Sequence, residues 1–494
     1  MSSTVSAGRL ATLVGTVPSP AFAGLASALA RLIADGRLPP GLRLPSEREL
    51  AKALTLSRTT ITRAYSTLRE AGYARARQGS GTWTHVPGGT ARGRDRALLP
   101  QPQRASVMDL TCAAPASTPG LASAYAAAVD ELPAYLTGHG YFPLGLPELR
   151  AAIAAQYDRR GLATDPEQIL VTSGAIAAIA AAAQALVGPG DRAMVESPVY
   201  PNAVQSLRRA GARVVSTPVD PHAWDLDALA STLRQTSPRV AYLIPDYQNP
   251  TGLLMPDDER QRVASALAAT RTVALVDESH AALRLDDLHP TDAQLTGAVD
   301  DPPFARASEP LPFAFHAPST ISIGGASKTY WGGLRVGWLR VPTALVPRLI
   351  TARLGLDLGA PILEQLVLAR LLTGSEAEAA PQRQRLREQR DALASELQQQ
   401  LPEWRFRLPS GGLSLWCELP RPAAAALAIE AERHGLVITP GSIFAPDGGL
   451  ASFVRLPYTR PVAELVAAVG VLKACWDALD DRGEVSDPVR ILIA

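Results

Sequence analysis

Cysteine is scarce in this chain. Cys112, Cys417 and Cys475 are three in 494 residues, scattered and odd in number, which argues against a disulfide framework or a zinc-ligand spacing. No metal is expected. No uninterrupted apolar stretch is long enough to span a bilayer, and no charged-then-apolar signal segment stands at the start, so a cytoplasmic chain without a membrane partner is expected. Internal repeats are missing too. Net charge is almost absent, +1 from 48 basic and 47 acidic residues. What is present is apolar mass. With 47% hydrophobic residues over this length, a multi-domain protein can remove roughly three quarters of its unfolded surface from water.

The near-zero net charge hides a local excess. Arg31, Arg37, Arg43, Arg48, Lys52, Arg58, Arg63, Arg69, Arg75 and Arg77 crowd the first part of the chain against few acids, a distribution suited to phosphate binding. Ser46, with Glu49 three residues on, forms a capping-box pattern that opens one short helix. Leu54-Thr55-Leu56 supplies a tight turn. Ser57 then caps a second helix to about Ala71, with Ile61, Ala64, Tyr65 and Leu68 on one face. Residues 74–84 alternate around Gln78-Gly79-Ser80-Gly81 and predict a β-hairpin. Two capped helices followed by a hairpin predict a winged helix-turn-helix over residues 10–85. Residues 86–107, rich in Gly, Pro and Arg without apolar period, predict a linker.

Further along, Ser327-Lys328 is followed seven positions after the lysine by Arg335. An amine one short loop from a guanidinium suits an aldehyde that carries a phosphate. Asn249-Pro250-Thr251-Gly252 follows the apolar run Val240–Ile244, and Asp277 closes the run Thr272–Val276. Both therefore fall at the carboxyl ends of predicted buried strands, where open α/β sheets bind ligands. Ile169–Thr172 leads through Ser173-Gly174-Ala175 into an Ala-rich predicted helix, a turn that offers backbone N–H groups to an anion. The stretch from Arg284 to Pro318 predicts a surface insertion.

Taken together, these segments resemble the fold-type I pyridoxal 5'-phosphate (PLP) enzymes of the aspartate aminotransferase superfamily, over about residues 108 to 475. The resemblance implies a multi-domain α/β architecture: a PLP-binding, aminotransferase-like large domain with a mainly parallel sheet at 108–355, and an α+β small domain at 356–480. It implies that Lys328 forms the aldimine, that Asp277 pairs with the pyridine nitrogen and that Asn249 bonds the phenolic oxygen. Gly174, Ala175, Ser327 and Arg335 would hold the phosphate, and Tyr200 would stack on the ring. Tyr141 matches the tyrosine that reaches the phosphate of a neighbouring subunit, and Arg455 the arginine that clamps a substrate carboxylate. The chain departs from the pattern twice. His280 stands where many relatives carry a tyrosine that also bonds the phenolic oxygen, and Gly325 where a serine is usual. Cofactor contacts are thereby thinner, and at most weak or half-reaction transamination is expected.

The amino-terminal segment resembles the winged helix-turn-helix of the GntR family of bacterial regulators, which implies DNA contacts from Arg48, Ser57, Arg58, Thr59 and Gly79. A GntR head on an aminotransferase-like body is similar to the MocR subfamily of transcriptional regulators, nearest its YczR-like branch. The implied function is sequence-specific binding of a double-stranded DNA operator, governed by PLP or by an amine or amino acid that reacts with it. A homodimer is expected, since fold-type I sites form at a subunit interface. The alternative is an active aminotransferase with an appended DNA-binding head.

Overall fold

A computed structural model describes residues 4–34, 37–38, 41–77, 81–85, 107–286, 310–374 and 376–481. The expected linker, apart from residue 107, most of the insertion between Arg284 and Pro318, and Gly79 at the hairpin turn lie outside the described residues.

In the head, Ser46 Oγ accepts the Glu49 N–H while the Glu49 carboxylate accepts the Ser46 N–H, closing the capping box on the helix Glu47–Leu54. Thr55 adopts a left-handed conformation, φ 55°, and ends that helix. Ser57 Oγ accepts the Thr60 N–H at 3.0 Å to start the helix Arg58–Glu70. Its inner face, Ile61, Ala64, Tyr65 and Leu68, packs with Leu25, Leu29 and Ile33 of the helix Ala21–Ala34. Tyr65 also donates to the Pro45 carbonyl at 2.9 Å, tying the second helix of the motif to the loop before the first. Ala74–Arg77 and Gly81–Thr84 pair antiparallel as the hairpin wing.

The body is built on a seven-stranded sheet. Its strands run in the order Ile169–Thr172, Gly337–Arg340, Ile321–Gly325, Val273–Asp277, Val240–Leu243, Arg192–Ser197, Arg213–Pro218. Adjacent strands are parallel except Gly337–Arg340, which is antiparallel to both neighbours. Most of these strands are buried along their length, as expected of a sheet covered by helices on both faces. A second, four-stranded sheet contains Ser414–Glu418 and Phe453–Pro457, covered by Glu376–Gln400 and Val462–Asp481.

Packing shows which segments share a core on either side of the expected join. The helix Ile362–Thr373 lies with the large body although 355/356 was the expected join: Leu366, Val367 and Leu372 are buried with Leu149, Ile153 and Val171. Conversely, Met108–Asp109 pairs in parallel with Leu436–Val437, and Leu110 and Ala113 join the core of the small domain. The helix Glu376–Gln400 contains Pro381. Burial of Leu386, Leu393 and Leu397 against Leu465, Leu472 and Trp476 outweighs the one backbone hydrogen bond a proline removes.

Candidate cofactor site and nucleic-acid interface

Parallel strands bring their carboxyl ends to one edge, and the site collects there. Gly174 follows the strand ending at Thr172, Asp277 closes its own strand, and Lys328 lies three residues past Gly325. Because Gly337–Arg340 runs the opposite way, its amino end reaches the same edge, with Gly337 paired to both Thr172 and Gly325. That reversal delivers Arg335. One cavity is lined by Ala175, Tyr200, Asn249, Asp277, Ser279, His280, Ser327, Lys328 and Arg335.

Each group has a defined setting. Lys328 Nζ donates to the Ala113 carbonyl at 2.7 Å, and burial, followed by the charges of Arg455 and Arg335, lowers its pKa. A larger share of free amine, the nucleophilic form, results. Asp277 is buried and accepts twice: from Tyr242 Oη at 2.6 Å and from the Ser279 N–H at 2.9 Å. Burial pushes the Tyr200 phenol up to about 12, so it stays protonated. His280 is buried with Nδ1 2.9 Å from the Tyr247 carbonyl oxygen. Arg455, 2% exposed, donates to Asn249 Oδ1 at 3.1 Å and to the Thr111 carbonyl, while its Nε is buried without a partner. Burial lowers its pKa to about 10, so the guanidinium remains charged at neutral pH. Tyr141 does not line the cavity; it is 58% exposed and stacks on His139.

The phosphate end can be tested for fit. Gly174, at φ 97°, caps the helix Ala175–Leu186 without a side-chain hydrogen bond, leaving first-turn N–H groups for an anion. A Cβ at Gly174 would come 2.7 Å from Arg335 Nη2, so glycine is what lets the guanidinium close over this turn. Arg335 Nη1 also reaches Ser327 Oγ at 3.3 Å. Ser279 Oγ is buried without a hydrogen-bond partner. It lies 3.8 Å from where a Cβ at Gly325 would sit, so a hydroxyl is present near the position that lacks its serine. An anion-binding turn, an unpartnered hydroxyl, an amine of lowered pKa and a buried carboxylate fit a phosphorylated pyridine aldehyde.

Two residues escaped the sequence reading. Tyr242 is hidden inside an apolar strand, where a tyrosine carries no distinguishing signal, and Ser279 follows Asp277-Glu278 with no motif of its own. Glu196 stands four residues before Tyr200. Buried completely, it accepts from Trp224 Nε1 at 2.9 Å and Gln248 Nε2 at 3.1 Å. Through Gln248, which accepts from the Thr251 N–H and hydroxyl, it orders the turn that presents Asn249. Burial raises its pKa to about 7.

In the head, Arg48, Ser57, Arg58 and Thr59 are all exposed on the two helices of the motif and their junction. Ser57 Oγ contacts Thr59 Oγ1 at 2.8 Å, and Arg58 Nε stands 3.6 Å from Glu47 Oε2. All four side chains are open to solvent, as contacts to a DNA backbone or base edge require.

A DNA-binding fold and a PLP-type body thus share one chain. Residues 118–472 match the family aminotransferase class I and II, and residues 23–83 match the bacterial regulatory proteins of the gntR family. The chain belongs to the class I and II aminotransferase family and carries a GntR head, the composition of a MocR-type regulator; its cofactor is PLP. It is 28% identical to the uncharacterized HTH-type transcriptional regulator YdcR of Escherichia coli, covering 87% of this chain and 93% of that one. It is 30% identical to the probable rhizopine catabolism regulatory protein MocR of Rhizobium meliloti, covering 63% of this chain and 64% of that one. Among solved structures it resembles LysN, the α-aminoadipate aminotransferase of Thermus thermophilus, in complex with N-(5'-phosphopyridoxyl)-L-leucine. That similarity has a TM-score of 0.66 and 27% identity, covering 76% of this chain and 94% of the other. No helix among the described residues is long and apolar enough to cross a membrane.

Proposed function

We propose that this DNA-binding regulator senses PLP, and through it an amine or amino acid, and acts in the cytoplasm as a homodimer on an operator. The observation that carries the reading is the meeting of Lys328, Asp277 and Arg335 in one cavity on a chain whose other end exposes a helix-turn-helix. When bound, PLP supplies an aldehyde for covalent capture of amines and a ring that withdraws electrons. Lys328 would hold the aldehyde, Asp277 would keep the ring nitrogen protonated, and Tyr200 would cover the ring. Ser327, Arg335 and the Gly174-Ala175 turn would hold the phosphate. Tyr242 and the Ser279 N–H fix both oxygens of Asp277, so that the carboxylate need not reorganise.

Arg455 is suited to the effector. Its described partners are an amide oxygen and a carbonyl, weaker acceptors than the carboxylate an amino acid would bring. An incoming carboxylate would therefore draw Arg455 from Asn249 and from Thr111, which precedes the small-domain residue Ala113. The exposed Tyr141 supports a contact with the partner subunit. Arg37 of the head pairs with Asp220 of the body at 2.9 Å, a link through which a change in the body reaches the head. A tenfold change in operator affinity needs only about 1.4 kcal/mol of such coupling. On DNA, Arg58 near the recognition-helix N-terminus would read a guanine edge, with Arg48, Ser57 and Thr59 on the backbone.

The test is a titration of full-length protein against duplex DNA from its own upstream region, at fixed salt, with cofactor stripped and then restored. A change in affinity or stoichiometry on adding PLP supports the sensor; identical curves with and without PLP and with amino acids present refute it. A second reading, an aminotransferase with a DNA-binding head, is favoured by the same availability of Arg455. It requires sustained multiple turnovers with an amino donor and a 2-oxo acid.

A further inference from the structure

His280 lines the cofactor cavity together with Asp277 and Lys328, and its hydrogen bonding is determined. Nδ1 lies 2.9 Å from the Tyr247 carbonyl oxygen. A carbonyl oxygen only accepts, so Nδ1 carries the hydrogen. Burial, then the Lys328 charge, lowers the pKa of the ring to about 4. At neutral pH the imidazole is therefore uncharged and Nε2 is a bare acceptor. Asn249 is determined in the opposite sense. Its Oδ1 is taken by Arg455 Nη1, so what it has left to present is its NH2 group, a donor. The cavity thus offers one donor and one acceptor from these two residues.

The covalent structure of the cofactor decides what meets them. The ring nitrogen lies opposite the aldehyde carbon, and the phosphate arm and the ring hydroxyl flank that carbon on either side. With Asp277 at the nitrogen, Lys328 at the aldehyde and Arg335 with the Gly174-Ala175 turn at the phosphate, the hydroxyl falls to Asn249 and His280. We propose that His280 is a positioning residue that accepts a hydrogen bond from the ring hydroxyl and, with Asn249 donating to the same oxygen, keeps that oxygen protonated. A neutral hydroxyl satisfies both neighbours. A deprotonated oxygen would set its charge against the Nε2 lone pair. A tyrosine at this position would present a hydroxyl able to donate, and so would favour the opposite state. The inference rests on the reading that PLP is held on Lys328.

The test uses the full-length, PLP-loaded protein at neutral pH, with two readouts. Borohydride reduction and peptide mass report attachment at Lys328; the absorption spectrum reports the ring oxygen, since the adduct with a neutral hydroxyl absorbs in the near ultraviolet and the adduct whose proton has moved from that oxygen to the imine nitrogen absorbs in the visible. The expected result is a near-ultraviolet band that dominates in the natural chain. His280→Tyr, which exchanges the acceptor for a donor, is expected to move the band ratio several-fold toward the visible with attachment retained, and His280→Gln, nearer in size, to move it the same way. A dominant visible band in the natural chain, unchanged by either substitution, overturns the proposal while leaving PLP binding intact. Loss of the Lys328 adduct from the natural chain overturns both.

Discussion

The head and the body place charge in opposite environments. Arg58 presents a side chain 74% exposed to solvent, held within a few residues of its own caps; Arg455 is 2% exposed and bonded to groups more than two hundred positions away. An exposed cation is screened within about 8 Å at physiological salt, so the head suits binding that responds to ionic strength. A buried cation is screened far less and carries a desolvation cost, which a carboxylate ligand can offset. On the proposed reading, the head finds a polyanion and the body recognises a single small anion.

Substitutions can separate the two. The largest expected effect is that of Lys328→Ala, which removes the borohydride-fixable adduct and the bound-cofactor spectrum completely. Operator affinity without cofactor should stay the same, so any loss there would show that the regions are not separable. Arg58→Ala is expected to weaken operator binding by about 1–3 kcal/mol, roughly 5- to 150-fold, with PLP affinity unchanged by spectroscopic titration. Ser46→Ala removes half of the capping box and is expected to cost about 1 kcal/mol, seen as earlier thermal unfolding of the head alone.

In the body, Glu196 gives a pH signature. Its folded pKa of about 7 lies above the ordinary 4.5, so proton uptake favours the folded form. That contribution is full below about pH 4.5 and is lost as pH rises through 7. Glu196→Gln should flatten the dependence of denaturation midpoint on pH across this window. The smallest effect is expected at the join. Asp220→Arg removes a partly exposed pair worth about 0.2–1 kcal/mol, and should alter the PLP response of DNA binding by at most about fivefold without changing cofactor affinity.

Local chemistry explains which features were legible. Ser46 with Glu49, Ser57 and the hairpin pairs act over a few residues, so their helices and strands could be read directly. The helix Ala21–Ala34 was not singled out, because its apolar positions matter only once Leu25, Leu29 and Ile33 meet Ile61, Tyr65 and Leu68. In the body, the apolar runs ending at Thr172, Ile244 and Asp277 marked strands and drew attention to the residues after them. The direction of Gly337–Arg340 was not legible, since apolar content does not record whether a neighbour is parallel. Tyr242 was not legible either, for its role depends on a carboxylate on the adjacent strand.

By itself, the order of residues determined the two-part plan of this protein, the capped helices of the head and the succession of strand ends that carry Gly174, Asn249, Asp277 and Lys328, because each depends on hydrogen bonds or apolar patterns within a short stretch. Tertiary structure alone decided that these ends share one cavity with Arg335, that Ile362–Thr373 joins the large body and Leu110 the small one, and that His280 lines that cavity with its Nδ1 against the Tyr247 carbonyl. The reason is physical: burial and hydrogen-bond polarity at a site are set by groups distant in the chain, and a carbonyl such as that of Tyr247 directs a proton only once the fold has brought it within reach.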